Sequence, residues 1–271
     1  MNARLFWGLL SMEVRKVLSY RANFWTNSVL GFIVQLGAVY YLWRAMFLES
    51  GRNEIGGMTF PQMISYYLTV LLLGRIVRGI DFGAAGLSDE IYSGSLTRYL
   101  VYPTKTFLIK YAQLLGQVLP SVAQLVVFGG ICFLLFPVRN HVPITLSSLA
   151  MASVSVMLGN LLHFIFYWPV DCVAFWQDNV WSLNVMTRFI LSVLGGAWLP
   201  LTVFPEAAQQ VLHYLPFRFL YAFPAEVLMG RVGPLEWLVG TGVCIAWCAA
   251  LSLVARVVWQ KGVKQYSGVG I

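Results

Sequence analysis

Residues 194–231 read LGGAWLPLTVFPEAAQQVLHYLPFRFLYAFPAEVLMGR, a stretch apolar enough for lipid yet broken up by Pro200, Pro205, Pro216 and Pro224. An interior proline removes a backbone donor and drives its ring against the carbonyl one turn earlier, so no single helix runs through the segment. Inside hydrocarbon, broken backbone persists only where protein or water covers it. The stretch is therefore expected to enter and turn back near one membrane face, as re-entrant outer helices over 200–230, before a last crossing.

The rest of the chain agrees with a membrane setting. Of its 271 residues 59% are hydrophobic and only 11% charged, with a mean hydropathy of +0.72, where a soluble domain carries about 25% charged residues. Apolar runs long enough to cross about 30 Å of hydrocarbon lie near 24–48, 62–82, 107–136, 145–168, 183–203 and 235–257. The expected fold is thus an all-α membrane protein with six transmembrane helices in one unit, residues 1–271.

Six crossings put both termini on one side. With that side inside, thirteen of the eighteen Lys and Arg residues are cytoplasmic and five, Arg44, Arg52, Arg139, Arg218 and Arg231, lie outside. Cytoplasmic flanks carry the excess of basic residues, so both termini are placed in the cytoplasm of a multi-pass plasma-membrane protein. The net charge of +7 is then a topology signal, and the bases adjoin apolar spans, which excludes a nucleic-acid partner. No short apolar core with a small-residue cleavage site opens the chain, so no removable signal peptide is expected. Cys132, Cys172, Cys244 and Cys248 fall in or beside spans without a C-x-x-C pair and read as packing residues.

Before the first span, residues 4–22 form an expected interfacial helix with Phe6, Leu10, Val14 and Val17 on one side and Arg4, Ser11 and Arg15 opposite. Glu13 interrupts its apolar side, either paired with a nearby base or touching a cytosolic partner. Residues 49–61 and 139–143 form short outer loops. Between spans two and three, the excursion 81–105 carries Asp81, Asp89, Glu90, Arg98 and Lys105, and a short helix is expected there.

Several constellations could carry function. Gln62, Ser65, Tyr66 and Thr69 recur on one stripe of span two, facing either another helix or a translocation path. Ser192, Gly195 and Gly196 on span five permit close backbone approach, at a dimer seam or path, or within the subunit. Arg75, Arg78 and Asp81 sit at the inner end of span two, where long cations reach the headgroups. His163, inside span four, reads as a packing residue; His141 and His213 lie in outer segments, leaving no three-ligand metal cluster. Ser93–Ser95 has no identifiable base. A phosphate loop is missing too, Thr104 standing where the pattern before Lys105 and Thr106 requires glycine.

Three segments in order resemble the ABC-2-type permeases, particularly the viologen-exporter-like branch with two different permease subunits and a separate ATPase. They are DEIYSGSLTRYLVYP (89–103), FWQDNVWSL (175–183), and the opening run with its WLPLTVFPE, LPF and FPAEVLMGR; the ending QYSG (265–268) fits as well. The resemblance implies an exporter subunit moving an amphipathic or cationic, drug-like or lipid-linked cargo by alternating access, with ATP and Mg bound in the partner ATPase and no cofactor held by this chain. It assigns a coupling helix to 86–103, formed or braced by Asp89, Glu90, Ile91, Gly94, Leu96, Tyr99 and Pro103. The outer gate falls to Pro200, Pro205, Pro216, Phe217 and Pro224. A path between two permease subunits, homo- or heterodimeric, would be lined by Gln62, Ser65, Tyr66, Thr69, Ser192 and Gly195. Two rivals predict features not found: an ion-driven transporter needs paired ionisable groups at the midplane, and an intramembrane enzyme needs facing nucleophile and base.

Overall fold

A computed structural model describes residues 3–79, 86–135 and 145–267. Asp81, Arg139, His141 and Pro143 lie outside the described residues. Among those described, the chain is helical without a β-sheet. Five helices have the length and apolarity to cross a membrane: α2 (Arg21–Ser50), α3 (Phe60–Arg78), α6 (Thr106–Leu135), α7 (Leu146–Cys172) and α11 (Pro234–Val263). Around them stand α1 (Ala3–Ser19), the short α4 (Leu87–Tyr92) and α5 (Thr97–Leu100), α8 (Trp181–Leu194), α9 (Glu206–Tyr214) and α10 (Ala222–Leu228).

The fifth expected span, 183–203, is shortened. Its helix, α8, has 14 residues, about 21 Å at 1.5 Å per residue. It stops at Leu194 in a Schellman turn: Ala197 N–H donates to the Ser192 carbonyl at 2.8 Å and Gly196 N–H to that of Val193 at 3.3 Å. Gly196 takes the left-handed position, φ 87°, where a side chain costs energy. After it the prolines begin elements instead of interrupting them. Pro200 precedes the 3₁₀ turn Leu201–Val203, Pro205 precedes α9, Pro216 opens the 3₁₀ turn Pro216–Leu220, and Pro224 sits in the first turn of α10. At such places the missing N–H has no intrahelical partner to lose.

The core is organised on α7, against which α3, α10, α11 and the 216–220 turn all pack. Gly159 makes one of these contacts possible, since a Cβ there would lie 2.9 Å from the Phe219 carbonyl. The α1 helix ends at Ser19, three residues short of the expected 22, and α2 begins at Arg21. It lies along α6 with Leu10 buried and Trp7 and Met12 exposed. By contrast α2 buries only Ser28 and Trp43.

Candidate functional site

The expected coupling element consists of two short helices. Gly94, at φ 75°, turns the chain between α4 and α5. Leu87, Ile91, Leu96 and Tyr99 point into the bundle and are buried. Glu90 fastens the unit: its carboxylate accepts from Arg98 Nη2 at 2.9 Å and from the Tyr99 hydroxyl at 2.9 Å, and pairs with Lys110 of α6. Lys110 is 1% exposed and also lies over the Tyr99 ring at 4.8 Å. The bond to Glu90 raises the Arg98 pKa, and burial raises that of Tyr99. From the chain's far end, the Tyr266 hydroxyl donates to the Gly94 carbonyl. On the outer side, Asp89, Tyr92, Val101, Tyr102 and Pro103 are exposed. The element is therefore rigidly seated on α6 and presents a partly apolar ridge.

At the opposite end, the broken segment closes on itself around Arg218. The Arg218 side chain is only 9% exposed, and its guanidinium binds Glu226 Oε2 at 2.7 Å and His213 Nδ1 at 2.6 Å, and lies 3.6 Å from Glu236 Oε1. It thereby joins the 216–220 turn to α9, α10 and α11. Burial, then the neighbouring Arg218 charge, lower the His213 pKa.

The polar stripe of α3 faces inward. Ser65 and Thr69 donate to the Pro61 and Ser65 carbonyls of their own helix, each at 2.9 Å. Gln62 closes a capping box, accepting from Thr59 N–H at 3.1 Å. Tyr66 and Tyr67 reach across to the Gly196 and Trp198 carbonyls, at 2.8 and 2.9 Å. Gly195 is equally internal, for a Cβ on it would stand 2.9 Å from the Phe217 carbonyl, and the Ser192 carbonyl holds the Schellman turn. These contacts lie within the chain, and Thr69 also lines a groove of about 450 Å³ between α3, α6 and α7.

Over residues 33–270 the sequence matches the family described as ABC-2 family transporter protein. The chain belongs to that family. No curated protein and no solved structure matches it. As an ABC-2 protein it is a multi-pass membrane component of a transporter, and the family associates with ABC ATPase subunits.

Within this ABC-2 chain, Asp89, Glu90, Ile91, Gly94, Leu96, Tyr99 and Pro103 come together on one element, but divide by role: Asp89 and Pro103 face out, the others brace. Pro200, Pro216, Phe217 and Pro224 gather at the other end, with Pro205 on its exposed rim. Tyr92, Val101 and Tyr102 were not singled out by sequence, although aromatic and β-branched residues in a charged excursion are a readable signal. The His163 ring lies tilted against that of Tyr167, centroids 4.7 Å apart. Asp171 is fully buried and accepts from Asn184 Nδ2 at 3.1 Å. All four cysteines are buried and free.

Proposed function

We propose that this ABC-2 chain is one permease subunit of an ATP-driven exporter, and that a separate ATPase docks on α4–α5. One observation carries the reading: an element pinned to α6 by the Glu90–Lys110 pair exposes Tyr92, Val101 and Tyr102 beside Asp89. Exposed apolar residues on a rigid support suit a partner groove, and the acid suits a basic rim. ATP and Mg bind in the ATPase, whose closure pushes the element. Glu90–Lys110 passes the movement to α6, and Tyr266 passes it to α11.

The α4–α5 end faces the cytoplasm with both termini, in the inner membrane of a bacterium. A second permease, the same or related, packs on α2, whose exposed Leu30, Ile33 and Val34 find little cover in this chain. Cargo passes between the two subunits by alternating access and leaves past the Arg218-bound outer segment, which Pro200, Pro205, Pro216, Phe217 and Pro224 shape. The cargo is amphipathic or cationic, drug-like or lipid-linked. Supporting an apolar body is a groove of about 450 Å³ between α3, α6 and α7, lined by Leu72, Leu125, Val126 and Met157.

The test is co-expression with the ABC ATPase that co-purifies with this chain from its native membrane. Val101→Asp with Tyr102→Asp should abolish co-purification and cargo-stimulated ATP turnover, while the thermal midpoint of the permease alone stays put because both residues are exposed. Intact complex and turnover in that variant would refute the assignment.

A further inference from the structure

We propose that the elbow between α1 and α2 binds the headgroup of one aminophospholipid of the phosphatidylethanolamine type. A hollow of about 250 Å³ lies there, its wall largely apolar through residues such as Val17 and Phe24, with Glu13 and Lys16 of α1, Asn23 and Asn27 of α2, Arg75 near the end of α3, and Gln117 of α6 supplying polar groups. The elbow is where an interfacial helix turns into a span, which is headgroup depth.

The hollow is built by close packing. A Cβ on Gly116 would stand 2.6 Å from Glu13 Cβ, so only glycine lets α1 sit this low on α6 and carry Glu13 inward. The Glu13 side chain is 15% exposed; its Oε2 is buried in the wall without a hydrogen bond, in a loose ion pair with Lys16 Nζ at 3.7 Å. Arg75, half-buried, donates from Nη2 to Ser28 Oγ at 2.8 Å, and Gln124 Nε2 binds the same hydroxyl at 2.8 Å. Among the described residues no carboxylate lies within 4.0 Å of Arg75.

One hollow therefore offers a cation with donors to spare and a carboxylate oxygen with an acceptor to spare. The matching ligand carries a phosphate and an N–H-bearing ammonium a few atoms apart. Inorganic phosphate satisfies Arg75 alone, an anionic glycerol lipid leaves Glu13 facing a negative charge, and choline has no N–H for Oε2. Phosphoethanolamine meets both demands, with the phosphate on Arg75 and the asparagine amides and the ammonium on Glu13. Such a lipid would clamp α1 to the bundle as a resident component distinct from cargo.

The full-length chain, reconstituted in nanodiscs of equimolar phosphatidylethanolamine and phosphatidylglycerol and released into mild detergent, would be examined by native mass spectrometry. The native chain should retain one phosphatidylethanolamine in preference to phosphatidylglycerol, undisplaced by millimolar inorganic phosphate. Arg75→Gln should cut retention roughly tenfold, the scale of one charge-assisted hydrogen bond. Glu13→Gln should hold lipid but lose the headgroup preference. Asn27→Leu fills the hollow from its exposed side and gives the same loss should Arg75→Gln fail to fold. Equal retention of both lipids by the native chain, displacement by phosphate, or undiminished retention in either blocking variant overturns the proposal. Because lipid is read without ATPase or cargo, the outcome is independent of the transport reading.

Discussion

The Tyr266 hydroxyl donates to the Gly94 carbonyl at 2.6 Å and lies 3.3 Å from Thr97 Oγ1, joining the chain's end to the turn between α4 and α5. The Tyr266 ring also meets Phe175, centroids 6.0 Å apart. Tyr266→Phe keeps the ring and removes the bond, at a cost of about 1 kcal/mol. The expected result is normal ATPase assembly with fewer cargo molecules exported per ATP. The check is the ratio of efflux to hydrolysis in proteoliposomes; an unaltered ratio counts against Tyr266 as a transmitting residue.

Glu90 is a brace, so its loss should be structural before it is functional. Glu90→Gln removes the carboxylate from Lys110, which is 1% exposed, and from Arg98 and Tyr99. Separating a buried charge from its partner costs roughly 3 kcal/mol. The four buried free cysteines make thiol exposure on heating a direct reporter of the midpoint. A drop of several degrees is expected, with ATPase binding falling in step; a variant as stable as the native chain would mean the pair is not a brace.

Gly196 combines two demands on one position. At φ 87° a side chain is strained, and a Cβ would lie 2.7 Å from Tyr66 Oη and 2.9 Å from Ala222 Cβ. Gly196→Ala should cost about 2 kcal/mol or more. Tyr66→Phe removes the nearer contact together with the hydrogen bond to the Gly196 carbonyl, so the comparison is made on that background: there Gly196→Ala should cost less than in the native chain but still lower the midpoint, through the backbone and the Ala222 contact. No loss on that background would show that the backbone contribution is negligible.

What could be read from sequence was what local chemistry determines. Four prolines announced a broken segment because proline acts within one turn of itself, and hydropathy placed the long helices. The helix end at Leu194 was in principle legible too, from two glycines after an apolar run; the hydropathy window ran past them because Ala197, Trp198 and Leu199 are as apolar as a span. Periodicity put Gln62, Ser65, Tyr66 and Thr69 on one face but could not say that Gly196 lay opposite. Charge counting puts Arg218 on the outer side, within the re-entrant segment, and says nothing of its burial. Its burial depends on His213, Glu226 and Glu236 arriving from three other elements, and Lys110 is likewise buried only because Glu90 arrives from α4. Such pairs are properties of the assembled fold.

The Arg218 cluster should respond to pH through His213. The ring lies 2.6 Å from Arg218 Nη1 at Nδ1, and burial, then the Arg218 charge, lower its pKa in the folded chain, Glu236 and Glu226 opposing. An unfolded histidine takes its proton near pH 6.5, so below that value the unfolded state binds more protons than the folded one. The His213 contribution is accordingly complete above about pH 6.5 and declines as pH falls through it. Thermal midpoints at pH 7.5 and 5.5 should differ more for the native chain than for His213→Gln, whose amide oxygen can still accept from Arg218 without titrating. Arg218→Leu should lower the midpoint at both values, by the roughly 3 kcal/mol of a broken buried pair, and should shrink the His213-dependent difference, since it removes the second cause of the lowered pKa and leaves Glu236 and Glu226 unopposed. Equal pH differences in the native chain and His213→Gln would remove the histidine from the account while leaving the Arg218–Glu226 pair in place.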